Sequence, residues 1–402
     1  DWSSDVCSSD LQKSRYRNWY TITSWDDPRT ARDEFDWAGW FGFKSLPEFA
    51  DAPGGHTLAP GPRRYVFNAT QRWMDPNDDG DPSDGIDGWR LDVAEQVPAG
   101  FWRHWNGFVR EINPEALTVA EIWGPSAHYL NECGFTSCMN YAGFAVPVKG
   151  WLIDGAIATT DFVARLRQQR AARSYEPALG LPNLVDSHDT QRVASAIANR
   201  RNSRAHYNSP DWFDYDDGPK VHVGSNADYD IGPPDAEGRR IWAMLAVFQA
   251  AYPGAPMIYY GTEMGMWGAD DPDDRMPAWW PKMDFEPIGH DPRCGALPQP
   301  IPVGFDREVY EWYRDAMNLR KGHPALVRGA FEVIVADDGQ RMLAFARQLG
   351  NERLIAVFNR GTNEARLEFD EAMNMRLLHA TDPAASPLRV PGLSAAVYRV
   401  DL

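Results

Sequence analysis

Three acidic residues each follow an apolar run: Asp92 in Gly88-Trp89-Arg90-Leu91-Asp92, Glu121 in Thr118-Val119-Ala120-Glu121-Ile122-Trp123, and Asp189 in Leu184-Val185-Asp186-Ser187-His188-Asp189. A strand followed by an acid on the next loop is how a parallel barrel delivers groups to the C-terminal rim of its strands. Three such deliveries point to one site. The chemistry that needs such acids is glycosidic bond cleavage, where one carboxyl group protonates the leaving oxygen and a carboxylate attacks or stabilises the anomeric carbon. Arg90 stands two residues before Asp92, on the same strand face, where a guanidinium can hold a carboxylate ionised and oriented. Glu121, as a proton donor, needs a raised pKa, which neighbouring acids and the Trp123 ring can supply as like charge and desolvation. Taken singly, Asp92 also reads as a helix cap, Glu121 as a surface ion-pair residue, and His188-Asp189 as a turn.

Gly88-Trp89-Arg90-Leu91-Asp92-Val93-Ala94, Ala120-Glu121-Ile122-Trp123 and Val185-Asp186-Ser187-His188-Asp189-Thr190 resemble three of the four short blocks that define the α-amylase family of glycoside hydrolases, and they occur in the family's order. Gly261-Thr262-Glu263-Met264-Gly265-Met266 and Asp270-Asp271-Pro272-Asp273-Asp274-Arg275-Met276-Pro277 add a further similarity, to the cyclomaltodextrinase and neopullulanase branch. Leu46-Pro47-Glu48-Phe49 resembles the block that marks this branch, with Ala50 where that block has Asn. The resemblance implies that Asp92 is the nucleophile of a retaining mechanism and Glu121 the general acid and base. It also implies that Asp189 stabilises the transition state, that His188 contacts the same sugar, and that Asp271 and Arg275 grip the neighbouring glucose unit. The residues themselves leave a second reading of the last two, as a pair bonded to each other on an exposed loop.

The elements that must position these side chains follow in regular alternation from Gly85. Strand-like runs at residues 86–93, 117–122, 135–139, 181–186 and 256–260 are equated with barrel strands four to eight. Between them Phe101, Trp102, Trp105, Phe108, Val109 and Ile112 recur at helical steps until Pro114. Ile241, Trp242, Leu245 and Phe248 do the same before Gly254, and residues 308–320 form the last barrel helix. After Pro324 short β-rich runs separated by turn residues indicate a small antiparallel domain, similar to the family's C-terminal β-sandwich. The expected architecture is an α/β protein, a (β/α)8 TIM barrel lacking its first strands. Residues 1–11 are an extraneous or disordered leader, 12–72 an irregular excursion over the barrel mouth, 73–324 barrel strands four to eight with their helices, and 325–402 the β domain. The missing start is inferred because no Asn-His pair, part of the family's first block, occurs in the chain, and the first eleven residues are neither basic nor apolar enough for a signal peptide.

With 402 residues the chain can hold one large domain and a small one. A formal net charge of −17 opposes nucleic acid and anionic membrane as partners. No apolar run of about 18 residues or more marks a membrane span. The 17 Trp suit a neutral sugar, whose C–H faces lie against flat rings, although most rings of any globular chain belong to its core. The expected partner is an α-glucan oligosaccharide, and the sequence specifies neither oligomeric state nor localisation. Cys133 and Cys138 can form a short-loop disulfide or stay reduced, and the four cysteines have no zinc-ligand pattern. No metal ligands are assigned and no cofactor is expected. Asp75-Pro76-Asn77-Asp78-Asp79-Gly80-Asp81 is reminiscent of a calcium loop, but Ile86 stands where an EF-hand needs Glu, and a solvated turn is the plainer reading. Hydrolysis of α-1,4-glucosidic bonds in maltooligosaccharides or cyclodextrins is the leading functional expectation. A transglycosylase or isomerase using the same intermediate, or an inactive carbohydrate-binding fragment, remains open at this point.

Overall fold

The computed structural model describes residues 13–27, 29–30, 32–171, 179–202, 221–291, 293–367, 374–387 and 389–401. The expected leader, with Cys7, and part of the β-rich stretch expected after Pro324 lie outside the described residues. Two compact units result: Asp1–Ile122 with Ser126–Cys138, and Trp123–Pro125 with Met139–Leu402. No helix among the described residues is long and apolar enough to cross a membrane.

In the first unit three parallel strands, β1 (Gly88–Leu91), β2 (Leu117–Ala120) and β3 (Ser137–Cys138), lie in that order. Gly88 is required by the close approach of β2, because a Cβ there would stand 2.1 Å from the Leu117 carbonyl oxygen. Helix α1 (Pro60–Met74) falls in the stretch expected to be irregular, which corrects that reading. Ala59-Pro60-Gly61-Pro62 looks like a loop, yet proline in a first turn surrenders only an N–H that has no helical partner. Helix α2 (Ala99–Ile112) buries Phe101, Trp102, Trp105 and Val109, as its three- and four-residue spacing predicts. Each such side chain contributes about 1.5–3 kcal/mol. Phe67 of α1 stacks on Phe108 of α2 at 4.9 Å, and Trp105 Nε1 donates to Thr70 Oγ1 at 2.9 Å.

In the second unit the parallel pair is β4 (Pro182–Asn183) and β5 (Ala255–Pro256). Between them runs α4 (Ala236–Ala251), preceded in the chain by α3 (Thr159–Ala171). Asp235 caps α4 by accepting from Gly238 N at 2.7 Å. The helix is apolar almost all round and correspondingly buried. Helix α5 (Arg307–Gly322) is capped by Asp306, which accepts from Glu308 N and Val309 N and pairs with Arg239 at 2.7 Å.

Beyond it five antiparallel strands form one sheet: β6 (Ala330–Asp337), β7 (Met342–Leu349), β8 (Glu352–Asn359), β9 (Met375–Ala380) and β10 (Ser394–Val400), in the order β6-β7-β8-β10-β9. Alternate residues go to opposite faces. Leu343, Phe345, Ala356 and Phe358 join the core of α4, while Met342, Ala344, Ile355 and Val357 join a second core closed by Ala365, Leu367 and Val390. Both faces are therefore covered.

Candidate active site

In the first unit, backbone register brings two of the expected acids together. Leu91 of β1 pairs with Ala120 of β2, so Asp92 and Glu121 leave adjacent strands at the same level. Arg90 reaches both: Nη1 bonds Asp92 Oδ1, and Nη2 lies 2.6 Å from Glu121 Oε1. Glu121 also accepts from the Val93 amide at 2.8 Å. Val93 holds φ 43°, ψ 47°, a left-handed conformation that costs a β-branched residue energy and turns its N–H toward that carboxylate. The two acids differ in surroundings, with the Glu121 side chain 5 % exposed and that of Asp92 65 % exposed.

The remaining expected residues lie in the second unit. Asp189 Oδ2 is 3.3 Å from His188 Nε2, and Asp189 Oδ1 is 3.4 Å from Arg275 Nη2. Arg275 Nε in turn lies 2.7 Å from Asp271 Oδ1. Asp271 and Arg275 thus do pair with each other, and the pair is tied to Asp189 rather than isolated on its loop. The Asp189 turn is fixed by Ser187: its N–H donates to Thr190 Oγ1 at 2.9 Å, and its Oγ accepts from the Asp189 amide at 3.1 Å and from Tyr141 Oη at 2.9 Å. Trp123 lies flat on Tyr141, centroids 4.1 Å apart and planes 7° apart. Tyr141 opens a buried π-helical turn, Tyr141–Ala145, an irregularity often found beside functional groups.

Several residues here escape sequence reasoning. Asp186 is wholly buried, accepts from Val193 N at 3.0 Å and Thr262 Oγ1 at 2.7 Å, and has its carboxyl pushed up by burial. Burial likewise raises Glu263. Arg192, fully buried, donates to the carbonyls of Asp274 at 2.8 Å and Tyr260 at 2.7 Å. Asp270 is pushed up to about 6 and Asp274 to about 7, in each case chiefly by burial. A run of acids on a polar loop reads as solvated, and only the packing of the neighbouring residues reveals otherwise.

The acidic turn after α1 spends its side-chain oxygens on its own backbone. Asp75 accepts from Asp79 N at 3.2 Å and Gly80 N at 3.0 Å, Asp79 from Asp81 N at 2.8 Å, and Asp81 from Ser83 N at 3.0 Å. Among the described residues no group of three His, Cys, Asp or Glu side chains is arranged to hold a metal ion. Cys133 and Cys138 are buried thiols not joined in a disulfide, and Cys294 is an exposed thiol.

No family model matches the chain. Neopullulanase 2 of Thermoactinomyces vulgaris is 29 % identical over 357 residues, covering 89 % of this chain and 48 % of that protein. A cyclomaltodextrinase of a Bacillus species is 27 % identical over 348 residues, covering 87 % and 49 %. The chain spans about half the length of these curated relatives. A debranching enzyme from Nostoc punctiforme superposes with a TM-score of 0.70 at 25 % identity, over 97 % of this chain and 72 % of that one. A cyclomaltodextrinase structure does so with a TM-score of 0.69 at 23 % identity, over 97 % and 56 %. These neighbours are (β/α)8-barrel proteins with C-terminal β domains, and the sheet-rich end of this chain agrees with them. In its blocks, its relatives and its fold the chain is similar to the α-amylase family of glycoside hydrolases, and among them to neopullulanases and cyclomaltodextrinases.

Proposed function

We propose that this protein hydrolyses α-1,4-glucosidic bonds in maltooligosaccharides, cyclodextrins or related α-glucans with retention of anomeric configuration. The observation that carries the reading is the shared guanidinium of Arg90, which serves an exposed carboxylate and a buried one at the ends of paired strands. Two carboxyl groups in unlike surroundings suit two unlike roles.

Asp92 is the nucleophile: its carboxylate forms a bond to the anomeric carbon as the glycosidic C–O bond breaks, while Glu121 gives its proton to the departing oxygen. Glu121 then takes a proton from water, whose oxygen attacks the anomeric carbon and releases Asp92. Arg90 holds the Asp92 carboxylate in place through their ion pair. Asp189 and His188 bond sugar hydroxyls, Trp123 offers a ring to a sugar face, and Asp271 with Arg275 holds a further glucose unit. The five strand-and-helix units belong to a (β/α)8 barrel.

The test is incubation with maltoheptaose and with β-cyclodextrin, followed by product chromatography. Shorter maltooligosaccharides should form, and Asp92→Asn should form none. If the wild-type chain cleaves neither sugar, or Asp92→Asn cleaves as well as it does, the proposal fails.

A further inference from the structure

Asp274 is an acid without solvent and without a hydrogen-bond partner. Its side chain has no exposure, and both carboxyl oxygens are unbonded among the described residues. An unpaired buried carboxylate is costly, so the group must either hold a proton or draw a positive charge toward itself. Two cations are near. Arg192 is held by Nε and Nη1 on the carbonyls of Asp274 and Tyr260 and lies over the Tyr259 and Tyr260 rings, with Nη2 buried and unbonded among the described residues. Arg275 is not so fixed: its Nε stands 3.9 Å from Asp274 Oδ1 and 2.7 Å from Asp271, and its Nη2 has only a long contact, 3.4 Å, with Asp189.

We propose that Asp274 is a positioning residue whose own charge decides whether Arg275 stays bonded to Asp189. With Asp274 neutral, the guanidinium belongs to Asp271 and Asp189. When Asp274 ionises, it competes for the guanidinium at short range, and the longer of the contacts to the other two acids, that to Asp189 Oδ1, gives way first. That oxygen then becomes an acceptor for a sugar hydroxyl. The sugar-binding part rests on the function proposed above; the movement of Arg275 does not.

Besides Arg192 and Arg275, the groups facing Asp274 are Asp270, Asp271 and Tyr259. Burial and the two aspartates push the Asp274 carboxyl up to about 7, against the two arginines, which brings its ionisation into the neutral range. His188 and His222 stand beside Asp189 and Asp270, at 3.3 and 3.9 Å. They remain in an Asp274→Asn protein, so the difference between the two proteins isolates Asp274.

The decisive measurement follows the Arg275 Nε–Hε resonance of the full chain labelled with 15N-arginine, assigned with Arg275→Lys, from pH of about 5.5 to about 8.5. The wild type should show an inflection near neutrality that Asp274→Asn loses. Maltoheptaose binding is measured by calorimetry in an Asp92→Asn background. It should tighten about fivefold across this range and lose that step when Asp274→Asn is added, a coupling at the low end of those known between linked sites. No inflection in the wild type overturns the proposal even if Asp274→Asn fails to fold, and so does an unchanged inflection in Asp274→Asn. If Arg275 titrates as expected but the sugar is neither bound nor cleaved, the positioning role stands and the α-glucan reading falls.

Discussion

Leu91 and Ala120 are register partners on adjacent parallel strands, and this pairing sets Asp92 beside Glu121. A one-residue slip would turn the side chains of a strand to its other face, so the proposed catalytic pair depends on the ladder as much as on the acids. Asp92→Asn should keep the shape of the site and lose the attack. We expect kcat on maltoheptaose to fall by about 1,000-fold or more, with the dissociation constant changed less than about threefold. Steady-state kinetics and calorimetry check the two halves of that statement.

Arg90 touches both carboxylates through two different nitrogens, a geometry that an ammonium group cannot reproduce. Arg90→Lys should therefore lower kcat/KM by about 100-fold, while the melting temperature moves by only a few degrees. A variant with wild-type kcat/KM would remove Arg90 from the machinery.

Retention makes a prediction of its own. Proton NMR of early maltoheptaose hydrolysis should show the α-anomer of the new reducing end first, with the β-anomer growing only by mutarotation. Immediate β-anomer would rule out a glycosyl-enzyme on Asp92.

Asp270 and Asp274 also make stability depend on pH. Both have carboxyl groups pushed up by burial, to about 6 and about 7, so the folded chain keeps protons that the unfolded chain has released. Stability from these groups is thus fully present near pH of about 4 and lost as pH rises through about 7. Thermal melts at pH of about 5 and about 8 should show a smaller decline in Asp274→Asn than in wild type, by about 3 °C or more. An equal decline in both would mean that Asp274 ionises as an ordinary aspartate.

Much of this arrangement is legible in the sequence. Apolar runs ending in Asp92 and Glu121 gave both the strands and the acids, and the helical spacing of Phe101, Trp105 and Val109 gave the buried face of α2. The paired portions of the strands are shorter than the runs, two residues in Pro182–Asn183 against six in the run, because β-branched and apolar character continues past the last ladder bond. Helix α1 was hidden by its prolines and by exposed Tyr65 and Trp73, which blur any apolar stripe. The burial of Asp274 and Arg192 is decided by residues distant in the chain, which no local pattern encodes.

Arg320, at the end of α5, donates to the carbonyls of Ala250 and Leu326 at 2.8 Å and of Gly254 at 2.5 Å, with no acidic partner among these contacts. Arg320→Met should leave these buried acceptors unbonded at a cost of about 3 kcal/mol or more. Urea unfolding checks this, and a loss below about 1 kcal/mol would show that water or rearrangement replaces the guanidinium.

The sheet that alternates its residues between two interiors has a consequence for how the second unit comes apart. Phe345 and Phe358 pack on Phe248 of α4, so the strands cannot fray without stripping the helix of its cover. Amide hydrogens of β7, β8 and α4 should therefore exchange together, at the rate of global opening rather than of local loosening. A cut made near residue 325 would leave a naked aromatic face on each piece instead of releasing two finished domains.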